Sequence, residues 1–91
     1  MIHLFQLGEV VATPGAVAAM QEHNISPQTL LQRHVTGDWG VVCKEDAKLN
    51  NDAVTYDNRI LSNYPIASNT RIWIITEWDR SVTTLLLPSE Y

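Results

Sequence analysis

The last third of the chain contains two runs of β-branched, aromatic and aliphatic residues that are separated by a short polar turn. The runs cover residues 71–78 and 81–87, with Asp79-Arg80 between them, and an alternating run covers residues 59–66. Runs of this composition, bounded by turn-forming residues, predict β-strands. Because strands that follow one another closely pair with their neighbours, the sequence predicts a C-terminal antiparallel meander. Its middle strand is predicted to be buried, with Trp73 in the core.

The first half of the chain carries helix signals instead. Thr13-Pro14 and Ser26-Pro27 each place a capping hydroxyl before a proline, which is typical of a helix start. Residues 44–56 predict a third, short helix, whereas residues 2–12 and 39–43 predict extended chain. The predicted fold class is therefore α+β, with an N-terminal strand and two to three short helices followed by a three- to four-stranded antiparallel sheet.

Length and charge narrow the class of protein. A chain of 91 residues predicts one domain, residues 1–91. Ten acidic residues against four arginines and two lysines give a net charge of −4, which disfavours a nucleic-acid partner because such binding depends on neutralising phosphates. The sequence has no long apolar run and no secretory signal, and it has a single cysteine. We therefore expect a cytoplasmic protein without membrane contact.

Several strings of the sequence resemble a family of small bacterial proteins. Its members are labelled "plasmid-related protein" or "type I restriction endonuclease subunit M". The strings are residues 11–16, 33–40, 59–64, 73–81 and 86–91, which together extend over nearly the whole chain. The resemblance implies a mobile-element setting but no particular reaction. A methyltransferase activity is not implied, because the sequence has no Gly-rich strand–turn–helix loop of a doubly wound nucleotide-binding fold.

One set of side chains resembles the catalytic set of small metal-independent ribonucleases of the barnase and RelE kind. The set is His34, Arg59, Ser62, Thr83 and Tyr91. Such enzymes perform acid–base chemistry on a 2′-hydroxyl while arginine stabilises the charged phosphorane. The predicted turns place Thr76 opposite Thr83 and Ser62 opposite Thr76, which would form a band of hydroxyls on one sheet face. Threonine pairs across strands also stabilise sheets without any catalytic role.

A second set of residues is predicted to bind a partner: Arg33, His34, Asp38, Trp78 and Arg80. Arg33 and His34 end the second predicted helix, where a guanidinium could hold an anion. The alternative is structural, since cations suit a helix C-terminus and Asp38 can accept backbone N–H bonds in the following turn. Trp78, near a hairpin tip and beside Arg80, has the composition of an interaction hot spot.

No metal or cofactor site is predicted, because His3, His23, His34 and Cys43 lack ligand spacing. The leading hypothesis is a small mobile-element-associated protein that binds a protein partner and modulates or inhibits host nucleic-acid or defence machinery. The alternative is a small endoribonuclease or toxin. The two differ in one geometric requirement: the enzyme needs His34, Arg59 and a sheet hydroxyl to converge in a single cleft.

Overall fold

The computed structural model describes residues 2–91 and contains a four-stranded sheet. In chain order the elements are β1 (Glu9–Ala12), α1 (Pro14–Glu22), α2 (Pro27–Val35), α3 (Lys44–Tyr56), β2 (Ile60–Ala67), β3 (Thr70–Thr76), β4 (Val82–Leu86) and a final 3-10 turn (Pro88–Glu90). The sheet order is β1-β4-β3-β2. Strands β2, β3 and β4 form the predicted antiparallel meander, whereas β1 joins β4 in parallel. The α+β class is confirmed, and the sheet is mixed rather than purely antiparallel.

The helices begin where the capping signals predict. The hydroxyl of Thr13 accepts a hydrogen bond from the Ala16 N–H at 3.2 Å, and Pro14 occupies the first turn of α1. Ser26 and Pro27 occupy the same positions at the start of α2, but the Ser26 hydroxyl accepts no capping bond and instead donates to Gln28 Oε1 at 2.9 Å. No helix in residues 2–91 has both the length and the apolar character needed to cross a membrane.

The predicted strand over residues 39–43 is wrong. Only one isolated bridge forms there, between Gly40 and Asn63. Gly40 has a φ of +74°, and a Cβ at this position would overlap the Asn63 carbonyl. The left-handed glycine turns the chain away after a single pair. The extended N-terminal segment is likewise shorter than predicted, since β1 covers only Glu9–Ala12.

The strand register differs from the prediction in one of the two hairpins. Thr76 lies opposite Thr83, as predicted. Ser62, however, lies opposite Ile74 rather than Thr76, because the β2–β3 turn is tight and a bulge interrupts the pairing after Pro65. A shift of two residues keeps every side chain on its original face, since side chains alternate with a period of two. The predicted hydroxyl band therefore survives the change of register.

The two faces of the sheet have different surroundings. Apolar residues of one face pack against α1, α2 and α3 in two clusters: Ile60, Tyr64, Ile72, Ile74 and Leu85. The opposite face, here called the open face, carries the alternate residues of β2, β3 and β4: Leu61, Asn63, Trp73, Ile75, Thr84 and Leu86. Trp73 is half-buried on this face rather than in the core beneath the helices. The buried tryptophan is Trp39, which is 5% exposed.

Candidate functional site

A buried chain of hydrogen bonds runs through His34. Its Nδ1 lies 2.6 Å from Ser62 Oγ, and its Nε2 lies 2.9 Å from Thr76 Oγ1. Thr76 Oγ1 lies 2.8 Å from Thr83 Oγ1, and the Thr83 hydroxyl donates to the Leu7 carbonyl at 2.7 Å. The side chains of four residues of this network are fully buried: His34, Ser62, Thr76 and Thr83. These contacts join α2 to three strands and to the segment before β1.

The Leu7 carbonyl, at one end of this hydrogen-bond network, fixes the direction of the bonds between it and His34. The Leu7 carbonyl can only accept, so Thr83 donates to it and must accept from Thr76. Thr76 has thereby used its single proton, and it accepts from Nε2–H of His34. Because burial keeps the ring neutral, the imidazole is the Nε2–H tautomer, and its Nδ1 accepts from the Ser62 hydroxyl.

Burial keeps His34 uncharged. Loss of solvation, together with the positive charge of Arg80, lowers the pKa of His34 to about 3. The rings of Phe5 and Trp39 stand edge-on to the imidazole at centroid distances of 5.2 and 6.0 Å. With both nitrogens occupied and aromatic rings around it, this histidine has no nitrogen free to take a proton from a substrate.

The remaining residues of the ribonuclease set lie on the other side of the sheet. Arg59 donates a hydrogen bond to the Tyr91 hydroxyl, and the Tyr91 ring meets the ring of Trp73 at 5.7 Å. Trp73 belongs to the open face, whereas His34 and its hydroxyl partners lie beneath the helices. The structure therefore brings together His34, Ser62 and Thr83, and it separately pairs Arg59 with Tyr91.

Arg33 and Asp38 form the turn that follows α2. Arg33 Nε donates to Asp38 Oδ2 at 2.7 Å, and the other carboxylate oxygen accepts from the Gly40 N–H at 3.2 Å. The bond from Arg33 holds the pKa of Asp38 below its usual value. The guanidinium also lies 4.5 Å from the centre of the Tyr64 ring. Arg33 and Asp38, two of the five residues predicted to bind a partner, are thus engaged in holding the turn.

Trp78 and Arg80 lie in the β3–β4 loop but differ in accessibility. Trp78 is 64% exposed. The Arg80 side chain is 13% exposed, and it donates to the carbonyls of Asn58 and Ala53, each at 2.7 Å. Its guanidinium also lies 5.5 Å from the centre of the Phe5 ring. Arg80 therefore ties the loop to the end of α3, and Trp78 is the member of this pair that is available to a partner.

The structure adds a feature that the sequence interpretation did not include: residues 87–91, here called the strap. The Glu90 carboxylate accepts from the Thr13 hydroxyl, from the Gly15 N–H at 3.2 Å and from the Leu87 N–H at 2.9 Å. Tyr91 continues onto the open face, where it contacts Trp73. The bonds from Thr13 and Gly15 to Glu90 link residues more than 70 positions apart, and no local sequence signal indicates them.

Polar groups without partners lie beside the strap. Trp73 Nε1 and Asn63 Oδ1 are buried atoms without a hydrogen-bond partner, and these two residues are directly opposite each other on β3 and β2. The Arg71 side chain has no ion pair or hydrogen bond among residues 2–91. Arg71 lines a groove of about 520 Å³ between the β2–β3 turn and the strap. The open face thus offers an unused donor, an unused acceptor and an unpaired cation.

The histidines and the cysteine do not assemble into a metal centre. His34 has both nitrogens in hydrogen bonds, and Cys43 lies exposed at the start of α3. Within the part of the chain that the structure describes, no three His, Cys, Asp or Glu side chains are grouped closely enough to hold a metal ion.

Comparisons with protein-family models, with curated proteins and with solved structures found no match to this chain. The resemblance to plasmid-related proteins therefore stays a prediction. The functional proposal is supported by the geometry of the chain alone.

Proposed function

We propose that this chain is a small interaction protein that binds a protein partner through the open face of its sheet. The observation that carries the proposal is the contact of Trp73, Tyr91 and Arg59 on the open face, where Arg59 also lies beside α3. Trp73 is half-buried there, and Arg59 is exposed. Aromatic and arginine side chains dominate the energetic centres of protein interfaces, because they bury a large area and offer directed hydrogen bonds.

The same geometry weighs against the ribonuclease alternative. A general base must reach the proton that it abstracts, directly or through one water. His34 is buried with both nitrogens occupied, and Arg59 lies across the sheet from it. The net charge of −4 also opposes binding to RNA. Binding is the function that the arrangement supports better.

A cleavage assay tests the choice between the two classes. Purified protein is incubated with total RNA in the presence of EDTA, which inactivates contaminating metal-dependent nucleases. We expect no cleavage. RNA cleavage that survives purification and disappears in both His34→Ala and Arg59→Ala would contradict the proposal, because residues that act as one catalytic unit each abolish turnover alone.

A capture assay tests where the partner binds. The resemblance to plasmid-related proteins directs the search to host nucleic-acid and defence machinery, with the protein immobilised and the captured partner then purified. Arg59→Ala should weaken binding of that partner by about tenfold or more, which is the size of a hot-spot effect. Tyr56→Ala is the matched control, because Tyr56 is an exposed aromatic at the end of α3. Equal losses in the two variants would show that the open face is not the interface.

A further inference from the structure

The strap holds its carboxylate in a cradle built for close approach. Three donors converge on Glu90: the Thr13 hydroxyl and the N–H groups of Gly15 and Leu87. A Cβ on residue 15 would lie 2.6 Å from the Glu90 carboxylate, so only glycine admits the group. The hydrogen bonds hold the pKa of Glu90 below its ordinary value, which keeps the group charged. The cradle therefore recognises a carboxylate.

The next residue of the strap uses an aromatic contact. The Tyr91 ring meets Trp73 at an interplanar angle of 67°, in an edge arrangement. The Arg59 guanidinium lies 5.7 Å from the centre of the Tyr91 ring and donates to its hydroxyl. An acidic side chain and an aromatic side chain, adjacent in sequence, thus attach the strap to the body of the protein.

Two polar atoms of the open face are unsatisfied, one of them on the ring that Tyr91 contacts. Trp73 Nε1 is a donor and Asn63 Oδ1 is an acceptor, and neither has a partner. A buried polar atom without a partner destabilises a structure by about 1–3 kcal/mol. A peptide group carries both a carbonyl and an N–H, so an extended polypeptide segment could satisfy both atoms. The strap therefore leaves one hydrogen-bond donor and one acceptor of the open face without a partner.

The positive charges on the open face also favour a binding partner with acidic groups. Arg33 and Arg80 each lie within 4.0 Å of an aspartate, at 2.7 and 3.9 Å. Arg59 and Arg71 have no carboxylate partner among residues 2–91. Both of these arginines lie on the open side of the sheet. Arg59 donates to Tyr91, which contacts Trp73. Arg71 is two residues from Trp73 on β3, so the two side chains share a face.

We infer that the strap is an internal competitor for the partner, and that the partner presents the same chemistry: an extended protein segment with a carboxylate next to an aromatic side chain. This inference rests on the proposed function, since it names what the open face binds. The partner's carboxylate replaces Glu90 at the two donors outside the strap, the Thr13 hydroxyl and the Gly15 N–H. Its ring replaces Tyr91 on Trp73, and its main chain satisfies Trp73 and Asn63. Binding then requires release of the strap.

The test uses the full chain with its strap weakened. The double variant Glu90→Gln/Tyr91→Ala removes the charge and the ring of the strap while leaving Trp73, Asn63, Arg59 and Arg71 unchanged. The probe is the end-blocked pentapeptide Leu-Pro-Ser-Glu-Tyr, which copies the strap, and its control replaces Glu by Gln and Tyr by Ala. An NMR titration follows the tryptophan indole N–H signals, assigned with Trp73→Phe.

The strap peptide should bind the double variant about tenfold more tightly than the native chain, because a site covered most of the time loses affinity in proportion. The Trp73 indole signal should shift, whereas that of Trp39, which is bonded to Asn51, should not. A Trp39 signal at the same position in the double variant as in the native chain shows that the variant is folded. The control peptide should bind neither protein.

Two results would overturn the inference: equal affinity for the two proteins, or no shift of the Trp73 signal in the double variant. Binding measurements with the captured partner distinguish failure of this inference from failure of the proposed function. Equal binding of the partner to the native chain and to the double variant, with a loss in Arg59→Ala, would rule out competition by the strap and leave the open face as the interface. No loss in Arg59→Ala would instead contradict the proposed function.

Discussion

His34 and Thr76 meet at the boundary between helix α2 and the sheet, with the imidazole Nε2 2.9 Å from the threonine hydroxyl. The Thr76 hydroxyl donates a hydrogen bond to Thr83, which donates to the Leu7 carbonyl. This relay permits only the Nε2–H tautomer of the imidazole. A polar network that is fully satisfied in this manner ties one helix and three strands into a single arrangement.

Removing the imidazole should destabilise the protein. His34→Ala leaves a cavity and deprives the buried hydroxyls of Ser62 and Thr76 of a partner. We expect the free energy of unfolding to fall by about 2–4 kcal/mol. Urea denaturation measures the change, with the exposed His3→Ala as control. A loss below about 0.5 kcal/mol, the range of a surface substitution, would contradict the buried network.

Acid should act on the protein through the same residue. The folded-state pKa of His34 is lowered from 6.5 to about 3, so the unfolded chain binds its proton more readily. The free energy of unfolding therefore declines as the pH falls below 6.5, by about 4–5 kcal/mol once the pH reaches the folded-state value.

An NMR titration of the imidazole carbons separates this effect from that of the carboxylates. His34 should keep the shifts of a neutral Nε2–H ring from pH 7 to about pH 4.5, since burial holds its pKa well below that range. A midpoint near the ordinary value would show that water reaches the ring.

The hydroxyl band shows how far a strand pattern can predict a site. Alternation alone places Ser62, Thr76 and Thr83 on one face, and that prediction tolerates a shift of two residues. The partner of the band, His34, lies 28 and 42 positions from Ser62 and Thr76, so only the packing of α2 brings it there. Helix signals predict that α2 exists, but no local signal gives its position over the sheet.

The sequence predicts an N-terminal strand, but for a related reason it predicts neither the pairing of β1 nor the strap. The parallel pairing of β1 with β4, and the contact between Thr13 and Glu90, join opposite ends of the chain. Such contacts depend on the completed sheet. The Trp73 prediction failed because an apolar run of β3 does not reveal which face the helices cover, and Trp73 is out of phase with Ile72 and Ile74.

The two tryptophans should differ in their contribution to stability. Trp39 is buried and donates to Asn51 at 3.0 Å, so Trp39→Ala should lower the free energy of unfolding by about 3–5 kcal/mol. Trp73 is half-buried, and we expect about 1–2 kcal/mol for Trp73→Ala. Thermal or urea unfolding of both variants tests the order. A larger loss for Trp73 would show that the open face is part of the core.

Asp38 should have a modest structural role. Asp38→Ala removes the bonds from Arg33 and from the Gly40 N–H, and we expect a loss of about 1–2 kcal/mol, typical of a turn or capping hydrogen bond. Asp52→Ala is the control, because its pair with Lys48 is an exposed i,i+4 contact on α3. That pair should contribute under about 0.5 kcal/mol. Equal effects in urea denaturation would mean that the turn does not depend on Asp38.

Arg80 should stabilise the protein through its donors rather than its charge. Its guanidinium bonds to the carbonyls of Ala53 and Asn58. Arg80→Ala removes the donor to the Asn58 carbonyl and one of the donors to the Ala53 carbonyl, which still accepts from the N–H groups of Asp57 and Asn58. We expect a loss of about 2–4 kcal/mol. Arg80→Lys keeps the charge but lacks the planar fork of donors, and it should recover less than half of that loss. Arg71→Ala removes an arginine without partners and should change stability by less than about 0.5 kcal/mol. Full recovery by lysine, or equal losses for the two alanine variants, would contradict this role.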